Sequence, residues 1–329
     1  MKSLVMQNKK VWVQDAPAPV AGNGCVVVKV MSTPICGSDK GAFHSETPVR
    51  WAGHEGAGVV VDAGNSSLLK IGDRVVLNPL GGCGTCVYCR NGKYIFCRNM
   101  PECGSHFVQY LAIHDFVCTV LPDEVSYDTG AMACCALGPA FSAIRRMQLS
   151  AFNTLLITGL GPVGMGAVAI AKFLNVRVIA VDAVPFRKKM AADFGVDVVL
   201  DAADPDLLQQ VREAARPGRL LHALDASGNS KAERLCINAM DPGGTVAFAG
   251  ENHSDLAVGP SNDFIRKGLT VFGVWHYDLS LWEEMKTLLH RSPLVPRLIT
   301  HTFGFSQAQE AFDRFMGGDA CKVVLHPWE

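Results

Sequence analysis

Long hydrophobic runs are missing from this chain of 329 residues. Apolar stretches such as 176–181 are far too short to span a bilayer. The opening Met1-Lys2-Ser3-Leu4-Val5-Met6 has a positive charge but no apolar stretch of signal-peptide length. Charge is also scarce: 19% of residues are charged, and 30 Lys and Arg offset 31 Asp and Glu to leave a net charge of −1. Neither nucleic acid nor an anionic membrane is expected as a partner. Internal repeats and low-complexity linkers are absent as well. With 49% hydrophobic residues and 32 glycines, a soluble two-domain α/β protein with a large core is expected, located in the cytoplasm.

Cysteine is plentiful, with 12 residues. In a reducing compartment these do not read as a disulfide framework. Isolated ones, such as Cys25, Cys118 and Cys236, read as small buried hydrophobes. Cys36 does not stand alone. Cys36-Gly37-Ser38-Asp39 and Gly53-His54-Glu55 gather a thiol, an imidazole, a hydroxyl and two carboxylates. Cysteine and histidine are zinc ligands by type, and a catalytic zinc usually takes three protein ligands and keeps one position open. This stretch therefore reads as part of a metal site. A second set, Cys83, Cys86, Cys89 and Cys97, can close a tetrahedron, because the C-x2-C-x2-C spacing lets one loop supply three thiolates. With no open position, that zinc would be structural. A free-thiol loop or a pair of disulfides is the alternative.

The pattern along the chain changes once. Short β-branched or alternating runs at 10–14, 24–31, 56–63, 71–77, 107–113 and 117–121 predict a compact β-rich domain. From Asp128 the composition turns helical, and 131–147 reads as one helix in which Pro139 marks a start or a break. Strands and helices then alternate to Trp275, which implies a parallel sheet with helices on both faces. Two amphipathic helices, at 281–290 and 308–315, and a last strand at 322–325 follow.

The strand Thr154-Leu155-Leu156-Ile157-Thr158 runs into Gly159-Leu160-Gly161-Pro162-Val163-Gly164. A glycine pattern of this kind is weak evidence alone. Here it has a strand before it, a helix after it, and a second strand ending in Asp182. Gly159 allows the tight turn, Gly161 lets the backbone approach a pyrophosphate, and Gly164 lets helix and strand pack closely. Pro162 and Val163 open the helix whose N-terminus faces the phosphates. Asp182 would accept hydrogen bonds from the adenosine ribose and repel a 2′-phosphate, which favours NAD over NADP; capping the next helix is its alternative role. Arg187 and Lys188 lie near enough to keep NADP open. Ser227 and Gly250 end later strands, where ligands of such sheets bind.

These motifs together, in this order, resemble the medium-chain zinc-dependent alcohol dehydrogenase family, which includes sorbitol and threonine dehydrogenases. The resemblance covers essentially the whole chain. It implies a GroES-like β-rich catalytic domain, 1–136 with 276–329, and an inserted Rossmann NAD-binding domain, 137–275. It implies two zinc ions per chain and a third ligand for the catalytic one within 132–141. Cys135 is the candidate, because Cys135-Ala136-Leu137 and its distance from Gly159 are similar to the family's; Cys134 is the rival. The implied chemistry is hydride transfer between NAD(H) and an alcohol or carbonyl, such as a secondary alcohol or polyol, with zinc as Lewis acid. Ser38 would pass the alcohol proton outward. Asp39 would accept from the non-ligating nitrogen of His54. Glu55 would approach the metal as ligands exchange, or else be a buried carboxylate paired with a cation. A homodimer or homotetramer follows by the same analogy, through a sheet edge at 271–275. Two departures stand out. The histidine that many members carry five residues after the first ligand is Gly41 here, with His44 beyond it, and the segment from Cys36 to His54 is short. A zinc-free reductase of the same fold and a non-enzymatic zinc- and nucleotide-binding sensor are the competing readings.

Overall fold

The computed structural model describes residues 1–101 and 103–329. The chain divides into two compact units, Met1–Cys135 with Tyr277–Glu329, and Ala136–His276.

The first unit begins with a hairpin, Lys2–Gln7 against Lys10–Asp15. Its two-residue turn places Asn8 and Lys9 at positive φ, the combination that matches the twist of the flanking strands. The main sheet has seven strands, and Cys25–Pro34 is its centre. Along that strand Val26, Val28 and Val30 point into one core with Val60, Val75, Leu77 and Ile113, the period-2 pattern of a half-buried strand. Gly56–Asp62 pairs with it antiparallel, and Arg74–Leu77 pairs with Gly56–Asp62 in turn. The late strand Lys322–His326 joins the same sheet by pairing Val324 with Pro34 and Leu325 with Thr33. A second core, with Leu4, Ile35, Phe107, Phe312 and Val323, lies under the helix Ala308–Gly317.

Another cross-link holds the late strand down. His326 Nε2 lies 3.0 Å from Asp128 Oδ1, on the helix Tyr127–Ala131. The hydrogen bond to Asp128 raises the pKa of His326 above its usual 6.5, against the effect of burial. A histidine raised in this way contributes its stability fully below the unfolded value and loses it as pH rises through the folded one. Thermal melts of His326→Asn should therefore fall furthest below wild type near pH 6 and converge with it at alkaline pH. A gap that stays constant with pH would overturn this.

The second unit is one six-stranded parallel sheet: Val198–Asp201, Arg177–Asp182, Thr154–Thr158, His222–Asp225, Thr245–Phe248, Thr270–Gly273. In chain order this reads 3-2-1-4-5-6, the doubly wound arrangement whose switch point lies between Thr154–Thr158 and His222–Asp225. Leu155, Leu156, Ile157, Val178, Ile179 and Ala180 are all fully buried, as expected where helices cover both faces. The expected α/β fold class thus holds. Among the described residues no helix is long and apolar enough to cross a membrane.

Two local expectations need correction. The run 107–113 forms a strand only from Tyr110 to His114. Phe107 instead anchors the second core, and its carbonyl accepts from Leu4 N. The helix expected over 131–147 is three pieces: helix Tyr127–Ala131, a π turn Ala133–Leu137 and helix Gly138–Met147. Pro139 lacks an N–H and sits at the start of the last piece, where none is needed. The segment after Cys36 also contains a short helix, Asp39–His44.

Candidate functional site

Strand register gathers the candidate ligands. Cys36 leaves the end of Cys25–Pro34. His54 and Glu55 lead into Gly56–Asp62, whose Ala57 lies opposite Ser32. Antiparallel pairing therefore puts these three side chains at one end of two neighbouring strands. The third strand ends there too, since Leu77 pairs with Gly56, and Asn78 follows it. Asn78 Oδ1 accepts from Cys134 Sγ at 2.9 Å, while its Nδ2 donates to Val117 O. That bond pins the π turn. A π turn carries an extra residue per turn and often marks functional sites; here it turns Cys134 inward and leaves Cys135 Sγ 3.2 Å from Cys36 Sγ. One ligand atom each from Cys36, His54, Glu55 and Cys135 lies within 4.8 Å of the others. Glu55 is fully buried, whereas the other three keep partial access to solvent.

The electrostatics favour a single thiolate at Cys36, facing a cationic imidazole at His54. A hydrogen bond with Cys135 lowers the pKa of Cys36 well below that of an ordinary thiol; His54 and Lys322 add to this, against burial. Cys135 is raised by the same bond and by burial. Burial pulls His54 down, but Cys36, Asp39 and Glu55 outweigh it and lift the imidazole to about 9. Asp39 is raised to about 6, chiefly by burial.

Asp39 Oδ2 accepts from Cys36 N at 2.8 Å and so shapes the turn that presents the thiol. Its other oxygen stands 3.7 Å from His54 Nδ1, an ion-pair distance longer than the expected hydrogen bond. Ser38 is exposed, with Oγ 3.3 Å from His54 Nε2. His44 Nδ1 donates to Lys40 O within its own helix.

One residue was missed. Lys322, 0% exposed, donates from Nζ to Glu55 Oε1 at 2.6 Å and to Ile35 O at 2.9 Å. Glu55 Oε2 is buried with no hydrogen-bond partner. Both roles weighed for Glu55 thus coexist geometrically: one oxygen meets a cation, and the carboxylate still belongs to the ligand group. The available signal was a lysine inside the apolar run Ala320-Cys321-Lys322-Val323-Val324-Leu325, since a charge in a buried strand requires a partner.

The four-cysteine loop brings Cys83, Cys86, Cys89 and Cys97 together, each offering a sulfur within 4.8 Å of the rest. All 12 cysteines are free thiols. Cys86 Sγ lies 3.5 Å from Cys89 Sγ and 3.9 Å from Cys97 Sγ, and Cys83 N donates to Cys97 Sγ. Four sulfurs from one loop, converging without disulfide bonds, fit a tetrahedral zinc by donor chemistry.

In the second unit, Gly159 turns at φ +81, where an added Cβ would fall 2.6 Å from Ser227 Cα. A Cβ on Gly164 would fall 1.8 Å from Gly159 O. Gly161 is different: nothing lies within 4 Å of its Cβ position, so open space flanks the N-cap of helix Pro162–Phe173. Pro162 and Val163 form that helix's first turn. Asp182 closes its strand 6% exposed, with Oδ2 accepting from Leu160 N at 2.6 Å and Oδ1 from Val184 N at 2.7 Å. Val184, not Asp182, is the N-cap of the next helix. Arg187 stands 3.7 Å from Asp182, and Lys188 pairs with Asp201. Ser227 Oγ donates to Asp225.

Comparison with known proteins agrees with this architecture. Residues 22–123 match the family described as Alcohol dehydrogenase GroES-like domain, and residues 162–292 match Zinc-binding dehydrogenase. The chain is 32% identical to an L-threonine 3-dehydrogenase of Alteromonas mediterranea over 99% of both proteins. It is 31% identical to that of Pseudoalteromonas translucida, over 97% of this chain and 96% of the relative. Among solved structures, the alcohol dehydrogenase TADH of Thermus sp. ATN1 superposes with TM-score 0.89 at 26% identity, covering 99% of both chains. An alcohol dehydrogenase of Escherichia coli CFT073, solved with NADH, gives 0.89 at 25% identity, again over 99% of both.

Proposed function

Since this chain belongs to the zinc-dependent medium-chain dehydrogenase family and is a zinc oxidoreductase of alcohols, we propose how its own residues divide the work. Cys36, His54 and Cys135 hold a catalytic zinc, and Glu55 is held near it by Lys322. Cys83, Cys86, Cys89 and Cys97 hold a structural zinc. The turn 159–164, with Asp182 and Ser227, receives NAD(H). The observation that carries the reading is the convergence of two thiols, an imidazole and a carboxylate, one ligand atom of each lying within 4.8 Å of the others.

When bound, zinc acts as a Lewis acid on a hydroxyl or carbonyl oxygen, and nicotinamide carries the hydride. The protein's part is positional. Cys36 and Cys135 concentrate negative charge, and Asp39 sets both the Cys36 turn and the face of His54. Ser38, exposed beside His54, exchanges the substrate hydroxyl proton with solvent. Asp182 favours NAD, because Arg187 and Lys188 are occupied by Asp182 and Asp201 and so are not free for a 2′-phosphate. A secondary alcohol or polyol is the substrate class; the relatives' name, L-threonine 3-dehydrogenase, points to a secondary hydroxyl. The position of strand Thr270–Gly273 at the edge of its sheet supports a homodimer or homotetramer, and the free thiols support a cytoplasmic location.

Metal analysis coupled to turnover tests the reading. About two zinc ions per chain, one for each ligand group, and NADH formation from a member of an alcohol and polyol panel are expected. One ion per chain, or coenzyme binding without hydride transfer to any carbonyl, would sink it.

A further inference from the structure

Asp225 ends the strand His222–Asp225 and is completely buried, yet no ion pair to it exists among the described residues. Its compensation comes from neutral donors. Thr158 Oγ1 and Ser227 Oγ each donate to Oδ1 at 2.6 Å, and Gly228 N donates to Oδ2 at 3.0 Å. An ionised carboxylate in the interior without a cation is costly, and nothing in the fold of a parallel strand demands one at that position.

The donors show what the charge organises. Thr158 is the residue immediately before Gly159 and is itself fully buried. Ser227 and Gly228 form the turn against which Gly159 packs, so closely that a Cβ on Gly159 would strike Ser227 Cα. The third strand end is locked into the same arrangement. Ala249 N and Gly250 N donate to Asp225 O, and a Cβ on Gly250 would fall 2.2 Å from Gly228 N. Ala226 N donates to Thr158 O at 2.8 Å, joining the first two ends through the backbone. The ends of three strands at the switch point are thus tied to one residue.

We propose that Asp225 is the positioning residue of the coenzyme site: its carboxylate sets the spacing between the turn 159–164 and the turn at Ser227 and Gly228. This rests on the reading of the turn 159–164 as the NAD(H) site. The carboxylate's charge would by itself repel a pyrophosphate, so its use here is as a multiple acceptor. That separates positioning from simple electrostatics by sign. Asp225→Asn removes a repulsive charge but offers one acceptor oxygen in place of two. Either Gly228 N faces an NH2 donor and loses its partner, or the amide flips and both hydroxyls must turn from donors into acceptors.

The test uses the zinc-loaded enzyme. NADH affinity is read by fluorescence titration, KM for NAD and kcat by steady-state kinetics, and zinc per chain by metal analysis. Asp225→Asn is expected to weaken NADH binding and raise KM for NAD by about tenfold or more, with zinc content and kcat at saturating NAD close to wild type. Thr158→Val, which keeps the shape and deletes one donor, should move both in the same direction by a smaller factor. Unchanged or tighter NADH binding in Asp225→Asn overturns the proposal, as does a fall in kcat with KM unmoved. Should Asp225→Asn fail to fold, Thr158→Val decides: wild-type NADH affinity in that variant overturns it. Gly164→Ala is the control for the underlying reading and should lose NADH binding. If wild type binds no NADH, both the reading and the proposal fall. If wild type binds and Asp225→Asn binds equally well, only the proposal falls.

Discussion

Cys135→Ser is expected to take the protein from about two zinc ions per chain to about one, and to lower turnover by roughly a thousandfold or more, the effect of losing a Lewis acid worth several kcal/mol. The argument begins with the donor. A serine hydroxyl stays protonated near neutral pH and is a poor zinc ligand, whereas a thiolate binds directly. Cys135 Sγ is the group beside Cys36 Sγ, so the substitution leaves Cys36 and His54 as the partly accessible ligands. Glu55 keeps an unpartnered oxygen, but Lys322 tethers the carboxylate by the other one, so shifting it into the thiolate's place would cost that buried ion pair. The ion of the four-cysteine loop should remain, since none of its ligands is touched. Metal analysis after brief chelation, with NADH formation measured on the same samples, checks both halves. Retention of two ions and of activity would move the third ligand elsewhere. Cys134 was the rival, and its thiol is directed to Asn78 Oδ1.

Lys322→Met should destabilise the fold by about 3–5 kcal/mol, the cost of leaving a buried charge without its partner. Methionine fills similar volume, so a cavity is not the cause. Burial already raises the pKa of Glu55, with Lys322 opposing that shift; without the cation the carboxylate would take up a proton still more readily. The sign follows. A carboxylate whose folded pKa lies above its unfolded 4.5 makes the folded state bind more protons, so stability falls as pH rises between those two values. Wild-type Glu55 is itself raised to about 8, so the two proteins lose stability in step below that pH, and denaturant melts should show the deficit of Lys322→Met growing only above it. Adding Glu55→Gln should restore part of the loss, because it removes the charge that needed pairing. A variant as stable as wild type across that range, or a double substitution worse than the single by the full cost of a second defect, would refute this account.

What the sequence disclosed and what it withheld differ in kind. The four cysteines of the loop, the glycine turn and the pairing of Cys36 with His54 and Glu55 are short-range patterns, and residue type with spacing was enough to single them out. The α/β class followed from the change between period-2 runs and helical stretches. The supporting residues were hidden because their partners are distant in the chain: Lys322 meets Glu55 across 267 positions and Cys134 meets Asn78 across 56. Asp225 looked like the end of an ordinary strand, because only the folded sheet brings Thr158 against it. The π turn escaped because composition over 131–147 says helix without saying which carbonyl each N–H will find. Asp182 shows a subtler limit. A strand-terminal acid was expected to face the ribose, yet both its oxygens also accept from the backbone at Leu160 and Val184, and no sequence pattern shows how many donors a carboxylate already has.

The pairing of Lys322 with Glu55 and Ile35 has a consequence in time. Synthesis delivers Cys36, His54 and Glu55 early, but the cation they fold around emerges 267 residues after Glu55. At ribosomal rates that gap is roughly 13 to 53 seconds. During it the strand Cys25–Pro34 lacks its late neighbour, and the carboxylate has no reason to leave water. The group around Glu55 is therefore completed after translation of the inserted sheet domain rather than before it.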